Sequence, residues 1–318
     1  CMTKCMRNYY DEPVNIRATK LVAAEKGYDA YMSKITPPAP VTDGRKVAVI
    51  GGGPTGMSAA YFVGRAGIPV TLFEKADRLG GIVRQVIPAF RISDEAIDKD
   101  VALMEKMGVE VKLNTEAPSV AELKAQGYTH IFFAVGAWKA GRLDIPGNVV
   151  PVIGWLRDMK AGKDVSLGHV AVVGGGNTAM DAARAALRAG AKSSTLVYRR
   201  TKKYMPADAE ELEMAIADGV EFLELVAPVE QKDGKLICEK MKLGDPDDKG
   251  RRKPVPTGEM VEIPCDTVVS AVGEKVESEV FTRNGITVDE KGIPAFKTNL
   301  EGVYAGGDAF IGPAALIS

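Results

Sequence analysis

Two glycine-rich segments have the spacing that binds the pyrophosphate of a dinucleotide. Residues 51–56 read Gly-Gly-Gly-Pro-Thr-Gly, and residues 174–179 read Gly-Gly-Gly-Asn-Thr-Ala, where alanine is a permitted third residue. Each segment follows a short apolar run, as in a strand–turn–helix unit whose glycines let the backbone approach the anion at a helix N-terminus. A single pattern is weak evidence. Two such patterns in one chain predict a protein that holds two nucleotides.

The residues that follow each unit's second strand distinguish the two sites. Glu74 ends the run 70–74, about 20 positions beyond the first glycine segment, where an acidic residue accepts hydrogen bonds from the ribose of FAD or NAD. At the equivalent place, the run 195–198 is followed by Arg199 and Arg200 and by no carboxylate. Two guanidinium groups can bind a 2′-phosphate, so NADPH is favoured over NADH. A solvated basic turn is the alternative interpretation of this arginine pair.

The histidines and cysteines show no spacing typical of acid–base, metal or dithiol chemistry. The two histidines, His130 and His169, directly precede apolar strand runs, and Cys238 and Cys265 do not form a Cys-x-x-Cys pair. This pattern favours a reaction that is carried by bound cofactors. Cys1 and Cys5 are either free thiols or two ligands of an iron–sulfur cluster whose other cysteines lie upstream.

Composition sets the class of protein. Among 318 residues, 46% are hydrophobic and 26% are charged, and we expect a soluble globular protein with no membrane segment. With 41 basic and 42 acidic residues, the net charge gives no indication of nucleic-acid binding. Four scattered cysteines and no secretory signal predict a cytoplasmic location. The chain starts at Cys1 and ends at Ser318 just inside a predicted helix, so we expect a piece of a longer protein.

The order of the elements predicts an α/β fold with two nested Rossmann-like domains and a short N-terminal helical segment. A helix over 13–27 and a proline-rich linker place the N-terminal segment, a remnant of an iron–sulfur region, at 1–42. The strands 131–136 and 268–273 both end in Ala-Val-Gly and mark where the chain enters and leaves an inserted domain. The FAD-binding domain is therefore predicted at 43–147 and 274–318, and the NADPH-binding domain at 148–273.

Several motifs together resemble a known family. The combination is similar to the small subunit of NADPH-dependent glutamate synthase and to the flavin-containing N-terminal part of dihydropyrimidine dehydrogenase. The N-terminal residues 5–10 and 14–17 most resemble an iron–sulfur and flavin subunit linked to selenate reductase in the same superfamily. The motifs that carry the resemblance are Leu79-Gly80-Gly81-Ile82, Ile87-Pro88-Ala89-Phe90-Arg91, Asn177-Thr178-Ala179-Met180-Asp181, Tyr198-Arg199-Arg200 and Tyr304-Ala305-Gly306-Gly307-Asp308.

The resemblance implies a role for individual residues. It places FAD against Gly51, Gly53, Gly56, Glu74, Ile82, Arg91, Gly307 and Asp308. It places NADPH against Asn177, Thr178, Arg199, Arg200, Ala271, Val272 and Gly273. We also expect contacts with one of the cofactors at Pro54, Thr55, Lys75, Gly81, Ala117, Gly136, Gly174, Gly176, Gly312 and Pro313. In that family, a helical N-terminal region holds 4Fe-4S clusters, so the resemblance makes Cys1 and Cys5 candidate iron ligands.

These expectations combine into a flavin-dependent oxidoreductase module. It takes a hydride from NADPH onto FAD and passes electrons to iron–sulfur clusters and on to a partner subunit or domain that reduces the substrate. A stand-alone NADPH:ferredoxin or acceptor reductase is the alternative within enzymes, and a non-catalytic nucleotide-binding interaction module is the alternative outside them. The sequence names neither the final electron acceptor, nor the oligomeric state, nor the physiological direction of electron flow.

Overall fold

The computed structural model describes residues 4–246 and 252–313. The helices of this part of the chain are Ile16–Lys34 (α1), Pro54–Arg65 (α2), Gly81–Gln85 (α3), Asp94–Glu105 (α4), Val120–Ala125 (α5), Val152–Lys160 (α6), Asn177–Arg188 (α7), Ala209–Ala217 (α8), Glu279–Thr282 (α9) and Asp308–Ile311 (α10). Within the same ranges, no helix combines the length and the apolar character needed to cross a membrane.

The strands of the described residues fall into four sheets. In chain order they are Val47–Ile50 (β1), Val70–Phe73 (β2), Glu110–Lys112 (β3), His130–Phe133 (β4), Lys139–Ala140 (β5), Val149–Pro151 (β6), His169–Val173 (β7), Ser193–Tyr198 (β8), Glu221–Glu224 (β9), Val226–Lys232 (β10), Lys235–Pro246 (β11), Arg252–Pro264 (β12), Thr267–Ser270 (β13), Glu274–Lys275 (β14) and Val303–Ala305 (β15).

Two of the sheets are parallel and share one plan. The first has the order β15-β4-β1-β2-β3 and the second has the order β6-β13-β7-β8-β9. A glycine-rich segment follows the central strand of each sheet, after β1 in the first and after β7 in the second. The first sheet takes strands from both sides of the second in the chain, so the prediction of two nested Rossmann-like units is confirmed. We call the parts built on these sheets the first unit and the second unit.

The central strands are buried on both faces because their sequences are continuously apolar. In β1, Ala48 and Ile50 join one buried cluster while Val47 and Val49 join another on the opposite face. This alternation follows from the two-residue period of a strand, and it lets β1 support layers on both sides of the sheet. β7 repeats the arrangement in the second unit.

An antiparallel sheet that the sequence analysis did not predict covers one face of the second unit. Its order is β10-β11-β12, and Leu236 and Cys238 of β11 are buried against Ala171 and Val173 of β7. The other face of the second unit is covered by helices, including α6 and α7. The second unit therefore has a sheet where the usual Rossmann unit has a helical layer.

The N-terminal helix differs from its prediction. It was expected to end at Gly27, but α1 continues to Lys34. None of its residues is buried, and Gly27 has open space around the position of a Cβ atom, so a glycine inside the helix costs only about 1 kcal/mol. The helix ends where Ile35 turns extended, two residues before Pro37. It rests on the first unit through hydrogen bonds from Tyr28 to the Lys99 carbonyl and between the hydroxyls of Tyr31 and Tyr61.

Candidate functional site

A cleft of about 1070 Å³ lies at the carboxyl ends of the first sheet and is shared by both units. The first unit contributes residues that follow β1, β2, β4 and β15, and the second contributes residues of α6 and α7. Parallel sheets bind nucleotides in such crevices. The predicted residues that line it are Gly51, Gly53, Pro54, Thr55, Glu74, Lys75, Gly81, Ile82, Arg91, Ala117, Gly136, Asn177, Thr178, Gly307, Asp308 and Pro313.

Other predicted residues do not line this cleft. They are Gly56, Gly174, Gly176, Arg199, Arg200, Ala271, Val272, Gly273 and Gly312. Gly56 and Gly174 are instead required by close backbone packing. A Cβ atom at Gly56 would overlap the carbonyl oxygen of Gly51, and one at Gly174 would overlap the carbonyl oxygen of Ala271. These glycines allow the glycine-rich turns to pack against the neighbouring backbone.

The first glycine-rich turn opens the N-terminus of α2 into the cleft. Gly51 has φ +104°, and a Cβ atom there would lie 2.5 Å from the Ala134 carbonyl oxygen. Gly53 caps α2 with no side-chain hydrogen bond, and Pro54 occupies the first turn. The free amide groups of this turn and the positive end of the helix dipole suit a pyrophosphate. The turn therefore fits the group that the sequence predicted.

Glu74 connects this turn to the end of β2. Its Oε2 accepts a hydrogen bond from the Gly52 amide at 2.6 Å, and its Oε1 accepts one from the Ala76 amide at 2.8 Å. The side chain is buried but still lines the cleft. A carboxylate offers about four lone-pair positions, so oxygens held in this way can also accept ribose hydroxyl groups.

The segment after β15 closes the first unit's side of the cleft. Gly307 has φ +64°, and a Cβ atom there would overlap the Thr55 hydroxyl oxygen. This close approach brings Asp308 at the start of α10 next to the first turn of α2. Gly307 and Asp308 thus line the cleft beside the glycine-rich turn.

The second glycine-rich turn also leads into a helix without a side-chain cap. Gly176 caps α7 with no side-chain hydrogen bond, and a Cβ atom there would meet no other heavy atom within 4 Å. Asn177 Oδ1 accepts a hydrogen bond from the Asp208 amide at 3.2 Å, which ties the turn to the start of α8. The open space and the free amides again suit an anion.

Arg199 and Arg200 follow β8 outside the main cleft. Arg199 is exposed, while Arg200 is half-buried and its Nε has no hydrogen-bond partner within the described ranges of the chain. A buried unpaired donor is costly, so this guanidinium is suited to an incoming acceptor such as a phosphate. The Tyr198 hydroxyl donates to the Tyr204 carbonyl at 2.7 Å and so fixes the turn that carries both arginines.

Glu274 is a cleft residue that the sequence analysis missed. It lies in β14, directly after the predicted residue Gly273, and lines the cleft. Burial raises the pKa of its carboxyl group, a hydrogen bond with Thr178 opposes that change, and the negative charge of Asp308 adds to it. The Glu274 carboxyl group therefore lies near one residue of each unit, Thr178 of α7 in the second unit and Asp308 of α10 in the first.

Arg91 lines the cleft, but its guanidinium group binds carboxylates of the second unit. Its Nη1 donates to Glu211 at 2.7 and 2.6 Å. Its Nε lies 3.1 Å from Asp181 Oδ1, close enough for an ion pair but without the alignment of a hydrogen bond. Asp181 and Glu211 had not been singled out as site residues, because nothing local in sequence links α7 and α8 to residue 91.

Asp181 is expected to make stability depend on pH. Burial raises its pKa to about 6, the positive charge of Arg91 opposes the shift, and Glu211 adds to it. Because the folded protein holds this proton more tightly than the unfolded chain does, the contribution of Asp181 to stability is largest below about pH 4 and is lost as the pH rises to about 6.

The Asp181→Asn variant should remove this pH dependence. Between pH 4 and pH 7, we expect the unfolding free energy of the wild type to fall relative to that of the variant by on the order of 2 kcal/mol. Urea unfolding across this range measures the difference, with Asp144→Asn at an exposed ion pair as the control. If the difference in unfolding free energy between wild type and Asp181→Asn stayed constant with pH, the raised pKa of Asp181 would be contradicted.

The cysteines have two distinct environments. The thiol pKa of Cys5 is lowered by backbone hydrogen bonds from Val14 and Arg7, whereas burial raises the pKa of Cys238 to about 12 and of Cys265 to about 11. Cys1 lies outside the described residues. Within 4–246 and 252–313, no group of three or more histidine, cysteine or acidic side chains is placed to hold a metal ion.

Comparison with known proteins gives related sequences over the whole chain. YgfK of Escherichia coli (strain K12), which carries only the provisional name of an oxidoreductase, is 41% identical over 329 residues and matches 100% of this chain. The NADPH-Fe(3+) oxidoreductase subunit beta of Geobacter sulfurreducens (strain DL-1 / KN400) is 34% identical over 100% of it. The glutamate synthase [NADPH] small chain of Halomonas elongata is 33% identical over 89% of it. The chain spans 32%, 54% and 65% of these relatives' own lengths.

A solved structure supports the same fold. FprA of Mycobacterium tuberculosis in complex with NADPH matches with a TM-score of 0.68 at 20% identity, covering 85% of this chain and 80% of FprA. Residues 24–125 and 45–316 match the family described as pyridine nucleotide-disulphide oxidoreductase. The resemblance to the glutamate synthase small subunit is thereby confirmed. The chain belongs to the pyridine nucleotide-disulphide oxidoreductase family.

Proposed function

We propose that this chain is a flavin-dependent oxidoreductase module that takes a hydride from NADPH onto FAD and passes electrons to iron–sulfur clusters and a partner subunit or domain. The observation that carries the proposal is the pair of uncapped helix N-termini, of α2 and α7, whose turns are followed by opposite charges, Glu74 and Arg199-Arg200. The related NADPH-Fe(3+) oxidoreductase and glutamate synthase chains bear names of NADPH-dependent subunits, in agreement with this proposal.

The proposed domain boundaries are those of the sequence analysis. The FAD-binding domain comprises 43–147 and 274–318, and the NADPH-binding domain comprises 148–273. In support, β5 and β14 pair with each other where the chain passes between the two parallel sheets. Residues 1–42 form the N-terminal segment, of which α1 is the main element.

The FAD site is proposed at the first unit's side of the cleft. The turn of Gly51 and Gly53 and the start of α2 would hold the pyrophosphate, and Glu74 would accept the ribose hydroxyls. A bound flavin supplies the capacity to accept a hydride and to release electrons singly. The chain's part is to orient that group and exclude water, for which the nearby wall of Ile82, Val86 and Leu156 is apolar.

The NADPH site is proposed at the second unit. The start of α7 at Gly176 and Asn177 would receive the pyrophosphate, and Arg199 and Arg200 would bind the 2′-phosphate. Thr178 extends from the same turn into the shared cleft. The two nucleotides would therefore meet between the units, where Glu274 and Thr178 both line the cleft.

We also propose an iron–sulfur electron acceptor and a partner that carries it. Cys5 would serve as an iron ligand together with Cys1 and further cysteines, and the partner would be an iron–sulfur or substrate-reducing subunit or domain. A cytoplasmic location stays a prediction from the sequence. No nucleic acid is proposed as a partner.

Anaerobic reduction of the FAD-loaded chain tests the proposal. We expect NADPH to bleach the flavin absorbance rapidly and NADH to do so far more slowly. Absence of bleaching by either nucleotide, with FAD demonstrably bound, would overturn the enzyme proposal and favour a nucleotide-binding interaction module. Spectra of the full-length protein separate the two enzymatic alternatives, because a stand-alone acceptor reductase would lack iron–sulfur absorbance.

A further inference from the structure

Residues 82–91 of the first unit pack on the second unit, and we call this segment the clasp. Val86 is only 2% exposed and belongs to the same buried cluster as Val152 and Leu156 of α6 and Met180 of α7. Ile82 packs against that cluster as well. The first unit thus contributes a side chain to the hydrophobic core of the second, and separating the units would expose it to water.

Charged side chains hold the clasp to three helices of the second unit. Lys160 at the end of α6 donates to the Ile87 carbonyl at 2.6 Å and to the Val83 carbonyl at 3.4 Å. Arg91 forms ion pairs with Asp181 of α7 and Glu211 of α8. The side chains of these two carboxylates are 10% and 12% exposed, so removing one charge of the group leaves an incompletely compensated charge in a poorly solvated place.

Phe90 adds an aromatic contact beside this ion group. The guanidinium carbons of Arg184 and Arg188 lie 4.9 and 4.6 Å from the centre of its ring. Asp218 accepts hydrogen bonds from both arginines at 2.8 Å and so holds them in place against the ring. Cations at this distance from an aromatic face are attracted to it.

The polypeptide connections between the units are a separate point of attachment. The strands β5 and β14 pair side by side, and the Gly141 amide donates to the Gly273 carbonyl at 2.6 Å. Because both connections pass between the units at this one place, they would not by themselves prevent the second unit from rotating about it. The clasp contacts α6, α7 and α8, which are not part of this crossing, and a second attachment of this kind opposes the rotation.

We propose that the clasp fixes the relative orientation of the two units, and that Arg91, Asp181 and Glu211 are its positioning residues. The functional consequence rests on the proposed function: both nucleotide sites would face the shared cleft in one fixed arrangement, so a hydride could pass without a rotation of the second unit. The contacts of the clasp are all made between the chain's own residues and do not depend on turnover.

Hydrogen exchange of the nucleotide-free chain, resolved by peptide, tests the clasp. The variants are Arg91→Met, Glu211→Gln and the double variant, and Asp144→Asn at an exposed ion pair is the matched control. We expect peptides of residues 82–91 to exchange about tenfold faster in each single variant, the effect of one lost charged hydrogen bond. The double variant should exchange no faster than the faster single variant, because the two side chains act as one pair.

Strands β1 and β7 report on whether a variant has unfolded globally. Should their peptides also exchange faster, Phe90→Leu provides a milder variant, which should accelerate residues 82–91 alone. The proposal is overturned if residues 82–91 exchange in the wild type like an unstructured chain, if the variants leave their exchange unchanged, or if the two substitutions act additively. These outcomes are independent of flavin reduction, so the clasp and the proposed activity can fail separately.

Discussion

Gly56→Ala is expected to destabilise the first unit by at least about 3 kcal/mol, the upper end of the range for overpacking. The alanine Cβ atom would overlap the carbonyl oxygen of Gly51, and backbone on both sides of the contact belongs to the same tight turn. Neither side can move without disrupting the end of β1 or the start of α2. Thermal unfolding should show a melting temperature lower by on the order of 10 °C.

Gly53→Ala is the matched control in the same turn. An added Cβ atom there meets only the Cα of Gly81, at 3.9 Å, and lies towards the cleft. This variant should keep the wild-type melting temperature within about 2 °C and lose FAD occupancy, if the pyrophosphate lies against this turn. A Gly56→Ala protein that melts like the wild type would show that the turn is less closely packed than described.

The elements predicted well from the sequence are those with strong local signals. The run 47–50 is continuously apolar because β1 is buried on both faces, which is the pattern of a central parallel strand. Serine is a favoured N-cap residue, and the Ser93 side chain accepts a hydrogen bond from the Ala96 amide at the start of α4. In both places, the local preference and the tertiary environment favour the same structure.

The antiparallel sheet was missed although a local signal for it exists. Asp233 and Gly234 separate β10 from β11 and have φ angles of +51° and +74°. An Asp-Gly pair with both residues in the left-handed region is the turn that closes a two-residue hairpin. Leu236 and Cys238 then alternate with less buried positions along β11. A search for hairpins would have predicted this sheet.

The contacts of the cleft that were missed have no local signal. Arg91 and Glu211 are 120 positions apart, and their pairing exists only because the clasp lies on α7 and α8. Glu274 became a cleft residue because β14 pairs with β5 and passes beside Thr178. Glycine patterns indicate where a nucleotide binds, whereas the packing of two units on each other depends on contacts between residues far apart in the sequence.

Arg200→Gln and Arg199→Gln are expected to weaken binding of NADP⁺ by between about tenfold and a hundredfold each, and to leave NAD⁺ binding unchanged. This loss of affinity corresponds to one charged hydrogen bond to the 2′-phosphate, which contributes about 1.5 to 3 kcal/mol. Arg200 should show the larger effect, because its buried Nε lacks a partner within the described chain. Its half-buried side chain also loses less conformational entropy on binding the phosphate than the exposed side chain of Arg199 does. Calorimetric titration with the oxidised nucleotides measures both affinities without turnover.

Lys192→Gln is the control for the loss of one positive charge. Lys192 is an exposed residue just before β8, whereas the arginine pair follows the end of that strand. Its removal should change the affinity for NADP⁺ less than about twofold, since exposed charges more than about 10 Å away are largely screened at 0.1 M salt. If the arginine variants weakened NADP⁺ and NAD⁺ equally, the pair would contact a part common to both nucleotides, and the preference for NADPH would have to come from elsewhere in the second unit.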